Sequence, residues 1–127
     1  MQVSNMIDAF KAATFGLIAL LAFWTVAAPV EATPDGDPER GGRLILQLGC
    51  GACHVIPGIT GAKGLVGPPL DRMGKRVYIA GVLRNTPESM VTFLRDPQSV
   101  VPNGAMPKMD LDESQAQDIA AYLYTLD

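Results

Sequence analysis

The 127-residue sequence holds one histidine and two cysteines. A structural zinc site needs four ligands, and these three leave it short. No segment alternates convincingly as a strand, so the βαβ frame around a thioredoxin-like Cys-x-x-Cys is missing. There is no internal repeat and no block of like charge. Formal net charge is −3, and from Thr33 onward 9 basic residues face 11 acidic ones, which gives no basic footprint for nucleic acid. Acidic residues gather late, at Asp110, Asp112, Glu113, Asp118 and Asp127, and Arg72, Lys75 and Arg76 form a short basic run. Each cluster reads as a solvated face or as a docking surface.

Long apolar runs are also scarce, with one exception. From Ala12 to Val30 the 19 residues carry no charge. As a helix they rise about 28 Å, close to the thickness of a bilayer core. Val30 and Ala32 also offer small residues at the spacing signal peptidase reads. The run is longer than a typical signal core and is preceded by Lys11 and the α-amino group against Asp8, which favours an uncleaved anchor. Residues 1–32 are therefore read as an anchor or signal segment and 33–127 as one domain. A domain this small buries only about 60–65% of its unfolded surface and benefits from a metal, a disulfide or a large apolar cofactor.

Helix signals dominate the domain. Asp37 is a good N-cap with Pro38 at the first helical position, and a helix to about Leu48 follows despite Gly41 and Gly42. Two glycines inside one helix, each costing about 1 kcal/mol against alanine, predict close approach of another backbone. Gly and Pro then punctuate Gly49 to Pro69 so densely that this stretch reads as loop. Thr86 caps a short helix, Glu88 to Arg95, with Met90, Phe93 and Leu94 on one face. A last helix is expected from about Glu113 to Leu126, capped by Asp110 or Asp112, with Ile119, Tyr122, Leu123 and Leu126 on one face. The expected fold is all-α, small and loop-rich.

Both cysteines and the histidine fall in Cys50-Gly51-Ala52-Cys53-His54, the CxxCH pattern of haem attachment. Two thiols three positions apart on a helical turn can each form a thioether with one haem vinyl group. The next imidazole then lies under the iron, which makes His54 an axial ligand. One covalent haem c is the expected cofactor. With no second histidine, the sixth position is open or taken by a methionine thioether, which would raise the reduction potential relative to bis-histidine ligation. Met1 and Met6 lie in the leader. Met90 reads as core, Met73 has little context, and Met106 and Met109 share the irregular segment VPNGAMPKM.

From about Asp37 to Asp127 the chain resembles the class I cytochrome c family, and most of all the cytochrome c domain fused to subunit II of some haem-copper oxidases. The resemblance is carried by Gly42, Cys50 to His54, Gly67-Pro68-Pro69-Leu70, Phe93-Leu94, the loop Pro97 to Pro102, Met106, and Ala121-Tyr122-Leu123. The stretch AGVLRNTPESMVTFLRDPQSVVPNGAMP points to the oxidase-fused domains in particular. It implies that Met106 is the sixth ligand, four positions after Pro102 and sixteen before Tyr122. It also implies that the Pro68 carbonyl accepts the His54 N–H, fixing the tautomer, that Leu70 lies at the haem, and that Arg76 meets a haem propionate. Gly42 and Leu46 are expected at the crossing of the first helix with the last, against Ile119 and Tyr122. Phe93 replaces a tyrosine that bonds the axial sulfur in many mitochondrial-type members.

These features imply a carrier of single electrons and not an enzyme, because six-coordinate His/Met iron leaves no open position. The expected protein is a membrane-anchored respiratory-chain cytochrome or an electron-entry subunit of an oxidase-type complex. Its haem domain would lie in the periplasm at the bacterial inner membrane, with redox proteins as partners. The alternatives are a soluble periplasmic shuttle after signal cleavage, and a haem enzyme or sensor with a labile sixth ligand.

Overall fold

The computed structural model describes residues 34–127. The apolar run Ala12 to Val30 and the boundary at residue 32 lie outside the described residues. Among the described residues no helix is long and apolar enough to cross a membrane.

Helix α1 spans Pro38–Gln47. It starts where the sequence signals place it: the Asp37 carboxylate accepts the Arg40 N–H at 2.9 Å and Pro38 occupies the first turn. Leu48 caps its far end, and Gly49, at φ +73°, turns the chain out of the helix. A 3-10 turn, Cys50–Ala52, follows directly and presents the CxxCH residues. The chain then loops to a second 3-10 turn, Met73–Lys75.

Helix α2, Pro87–Arg95, is capped by Thr86, whose hydroxyl accepts the Ser89 N–H at 3.2 Å. A single turn, α3, runs over Pro97–Val100, where the sequence suggested only a Pro-bounded loop. Helix α4 spans Glu113–Tyr124. Asp112 caps it and exchanges bonds with Gln115 as a capping box. Asp110, the other candidate cap, instead takes a left-handed turn at φ +52°.

The described domain is not purely helical. Strands β1, Tyr78–Ile79, and β2, Leu83–Arg84, pair antiparallel as a small hairpin. Two residues per strand are too few to register as alternation, so the all-α expectation holds only for the larger elements.

Helices α1 and α4 cross closely, and the two glycines divide the work. A Cβ on Gly41 would overlap the backbone carbonyl of Asp118, whereas one on Gly42 would meet side chains, the Tyr122 ring at 3.1 Å and Ile59 at 3.8 Å. The backbone-to-backbone approach therefore belongs to Gly41. One turn further along the same face is Ile45, 1% exposed, while Leu46 is 60% exposed. This corrects the expectation that Leu46 lies at the crossing, because the face is set by Gly41 and Ile45. Ile45, Ile119 and Leu123 join one buried cluster with Ile56, Met90 and Leu94. Each such side chain contributes about 1.5–3 kcal/mol on burial.

A polar clasp secures the crossing. Asp118 is 2% exposed and does not belong to a solvated acidic face. Its carboxylate accepts two hydrogen bonds from the Arg40 guanidinium, through Nε and Nη2, and the Asp37 N–H at 2.9 Å. The Arg40 bonds, helped by the Asp37 N–H, hold the Asp118 carboxyl below its ordinary range against the opposing effect of burial. The basic run is also partnered: Arg72 and Arg76 pair with Asp71, and Lys75 with Asp127, at 3.5 to 3.6 Å.

Gly41→Ala is expected to destabilise the holoprotein strongly, because about 1–3 kcal/mol of overpacking falls on rigid backbone and exceeds the gain of about 1 kcal/mol in helix propensity. Gly42→Ala should cost less, since the tyrosine ring can give way. Thermal unfolding of both variants checks the order; the reverse order would place the close crossing at Gly42.

Candidate functional site

The core encloses a cavity of about 550 Å³, within the range of ligand pockets. Ile45 and Leu48 of α1 form one wall, and Met90, Phe93 and Leu94 of α2 another. Ile119 and Leu123 of α4, the β1 hairpin and the loop after α3 complete it. Cys50, Cys53, His54, Pro68, Leu70, Arg76 and Met106 all line this one space.

The CxxCH turn is fixed by the chain that follows. His54 N–H bonds back to the Cys50 carbonyl at 3.0 Å, and Gly67 N–H donates to the Cys53 carbonyl at 2.8 Å. Leu70 N–H then reaches the Val55 carbonyl at 2.9 Å. The residues 67–70 are thus laid over the motif, which brings the Pro68 carbonyl to 2.7 Å from His54 Nδ1. A carbonyl can only accept, so Nδ1 carries the proton and Nε2 keeps its lone pair for a metal.

Gly67 has a role that the sequence motif did not reveal. A Cβ there would lie 2.6 Å from His54 Nδ1 and closer still to Cε1. The imidazole sits flush on the Gly67 backbone.

Arg76 lies at the cavity edge with its guanidinium engaged. Nη2 donates to the carbonyls of Pro69 and Asp71, and the Asp71 carboxylate is 3.6 Å away. It therefore ties down the segment that carries the Pro68 acceptor. Asn85 braces the neighbouring wall: its amide donates to the carbonyls of Met73 and Arg76, both at 2.8 Å, and accepts the Tyr124 hydroxyl at 2.9 Å. Nothing in the sequence marks Asn85, because the carbonyls it holds, at the start of the Met73–Lys75 turn and just past its end, lie 12 and 9 positions away.

All four candidate methionines, Met73, Met90, Met106 and Met109, line the cavity. Met73 and Met90 are buried in the core, at 6% and 1% exposure. Met106 and Met109 are half-buried on the loop after α3.

A nucleophilic cysteine needs a lowered pKa, and burial pushes the Cys50 thiol up. Two thiols, an imidazole with a free Nε2, a thioether within the same walls and an apolar lining fit a covalently held haem.

The cytochrome c family pattern matches residues 38–127. The chain belongs to the cytochrome c family. This cytochrome is an electron carrier, and the family's single covalent haem c is attached at the CxxCH cysteines, Cys50 and Cys53. It is similar to cytochrome c oxidase subunit 2 of Alkalihalophilus pseudofirmus, at 32% identity over 102 residues, covering 80% of this chain and 29% of that protein. It is also similar to cytochrome c oxidase subunit 2 of Bacillus sp. PS3, at 33% identity over 95 residues, covering 71% of this chain and 27% of that protein. The chain thus spans less than a third of the length of these relatives. Cytochrome c2 from Rhodobacter sphaeroides superposes with a TM-score of 0.55 at 25% identity, covering 72% of this chain and 97% of that one. That likeness gives the class I fold, helical with a small sheet.

Gly67→Ala should displace the His54 ring, costing about 1–3 kcal/mol of stability and perturbing the visible spectrum of the holoprotein. Unchanged melting and an unchanged spectrum would show that the ring does not rest on the Gly67 backbone.

Proposed function

We propose that this cytochrome is held at a membrane by its N-terminal apolar run and delivers single electrons to an oxidase-type respiratory complex, as a bound subunit or electron-entry domain. The observation that carries the reading is the similarity of most of the chain to proteins named as oxidase subunits. The uncharged run Ala12 to Val30, long enough to span a bilayer, supports the tether. The haem domain then lies on the periplasmic side of a bacterial inner membrane. Tethering raises the effective concentration of partners on that membrane, so modest docking affinity suffices. A domain without a strongly charged face suits that regime.

In this reading His54 and Met106 would hold the haem iron, and the haem would supply reversible one-electron exchange. The chain's residues hold that group and insulate it. Pro68 keeps the proton on His54 Nδ1, 2.7 Å away, so the ligand nitrogen stays neutral and correctly aimed. Leu70 and the leucine, isoleucine and phenylalanine walls exclude water, which limits solvent reorganisation when charge changes. Arg76 secures the Pro69 carbonyl beside the Pro68 acceptor and places positive charge at the rim for a propionate.

Membrane fractions and the intact mass of the purified cytochrome test the tether. The expected protein retains residues 1–32, resists high-salt washing and needs detergent for release. A haem protein that begins at Thr33 and leaves the membrane in salt would overturn the anchor and favour a soluble periplasmic shuttle.

A further inference from the structure

The loop from Val101 to Met109 is irregular and half-exposed. Its first turn is closed by the Gly104 N–H on the Val101 carbonyl at 3.0 Å, with Asn103 at φ +63°. Beyond that turn, among the described residues, no backbone hydrogen bond outside the helices and strands involves residues 105–109. One side chain does hold it. The Gln98 amide nitrogen donates both its hydrogens to this loop, to the Gly104 carbonyl at 2.7 Å and to the Met106 carbonyl at 2.9 Å. An amide NH2 has two donors, and both are committed to this loop.

Gln98 is itself firmly placed. It sits in the single turn α3, whose start is fixed by the Asp96 carboxylate accepting the Ser99 N–H and by buried Pro97. The same Asp96 reaches Lys108 Nζ across the loop at 3.9 Å. That pair is exposed and long, and contributes little.

We propose that Gln98 is a positioning residue that holds Met106 at the haem cavity by clamping its carbonyl and that of Gly104. The inference rests on Met106 as the sixth ligand. It adds that the lability of this ligand is set by a side chain eight positions upstream, outside the cavity lining. Without the clamp the loop is held to the cavity only by the packing of Met106 and Met109 against the core and by the weak Asp96–Lys108 pair, and the thioether dissociates more often. Gln98 is exposed, and two net hydrogen bonds from an exposed amide correspond to about a tenfold rise in the open population.

The test uses the ferric holoprotein with added imidazole as the probe, following its binding by the Soret shift. Gln98→Ala removes both donors. Gln98→Glu keeps the shape but turns an acceptor toward two carbonyl oxygens. Both should take imidazole about tenfold more readily than wild type, while Gln98→Lys, which still donates, stays close to it. Asp118→Ala, at the α1–α4 crossing, serves as the control: it lowers the melting temperature and should leave imidazole entry unchanged. Met106→Ala must abolish the weak Fe–S(Met) band of the oxidised spectrum, and Met109→Ala must not. If Met106→Ala keeps that band, the ligand assignment fails and the clamp with it. If Met106→Ala removes the band while Gln98→Ala and Gln98→Glu behave as wild type, or if Asp118→Ala opens the site as far as they do, the clamp alone fails.

Discussion

The core of this domain is built around the cavity that takes its haem, and nearly every other feature follows from that constraint. A cavity of about 550 Å³ sits where α1, α2 and α4 meet. Protein interiors otherwise pack to the density of organic crystals, and a small domain has little surplus burial to offset a void. The haem attached at Cys50 and Cys53 completes this core. Covalent attachment to Cys50 and Cys53 would tie the group to the wall formed by the CxxCH turn.

Around that void the chain uses rigid contacts to do what packed side chains do elsewhere. Gly41 lets α1 approach the backbone of α4, and the Arg40–Asp118 clasp closes the crossing with bonds that also satisfy the Asp37 N–H. Tyr122 donates to the Pro57 carbonyl at 2.7 Å and so fastens α4 to the loop that leaves the CxxCH turn. The layer from Gly67 to Leu70 lies over the motif and fixes the His54 tautomer. Each contact joins segments far apart in sequence, and each borders the same cavity or the helix crossing beside it.

The most legible features were local ones. Caps at Asp37, Thr86 and Asp112 involve neighbours within three residues, and CxxCH is compact enough to carry its chemistry on its face. Features set by distant contacts were harder to read. Asp118 looks like a surface acid among other acids, and only its partners 78 and 81 positions away show it to be buried. The inward face of α1 was misjudged by one residue, Leu46 for Ile45, because Gly41 and Gly42 are adjacent and sequence does not say which of them meets the backbone. The hairpin and α3 are too short to leave a periodic signal. Gln98 holds carbonyls of a loop and Asn85 the two ends of a short turn, for which no residue pattern exists.

The central claim is that the covalent group completes the core, and folding without it is the most direct measure. Cys50→Ala/Cys53→Ala, purified free of haem, should show weakened helical circular dichroism, no cooperative thermal transition and rapid proteolysis across the described domain, while the holoprotein melts cooperatively. A haem-free variant with native helix content and a sharp transition would contradict the account, because the chain would then fill its own interior.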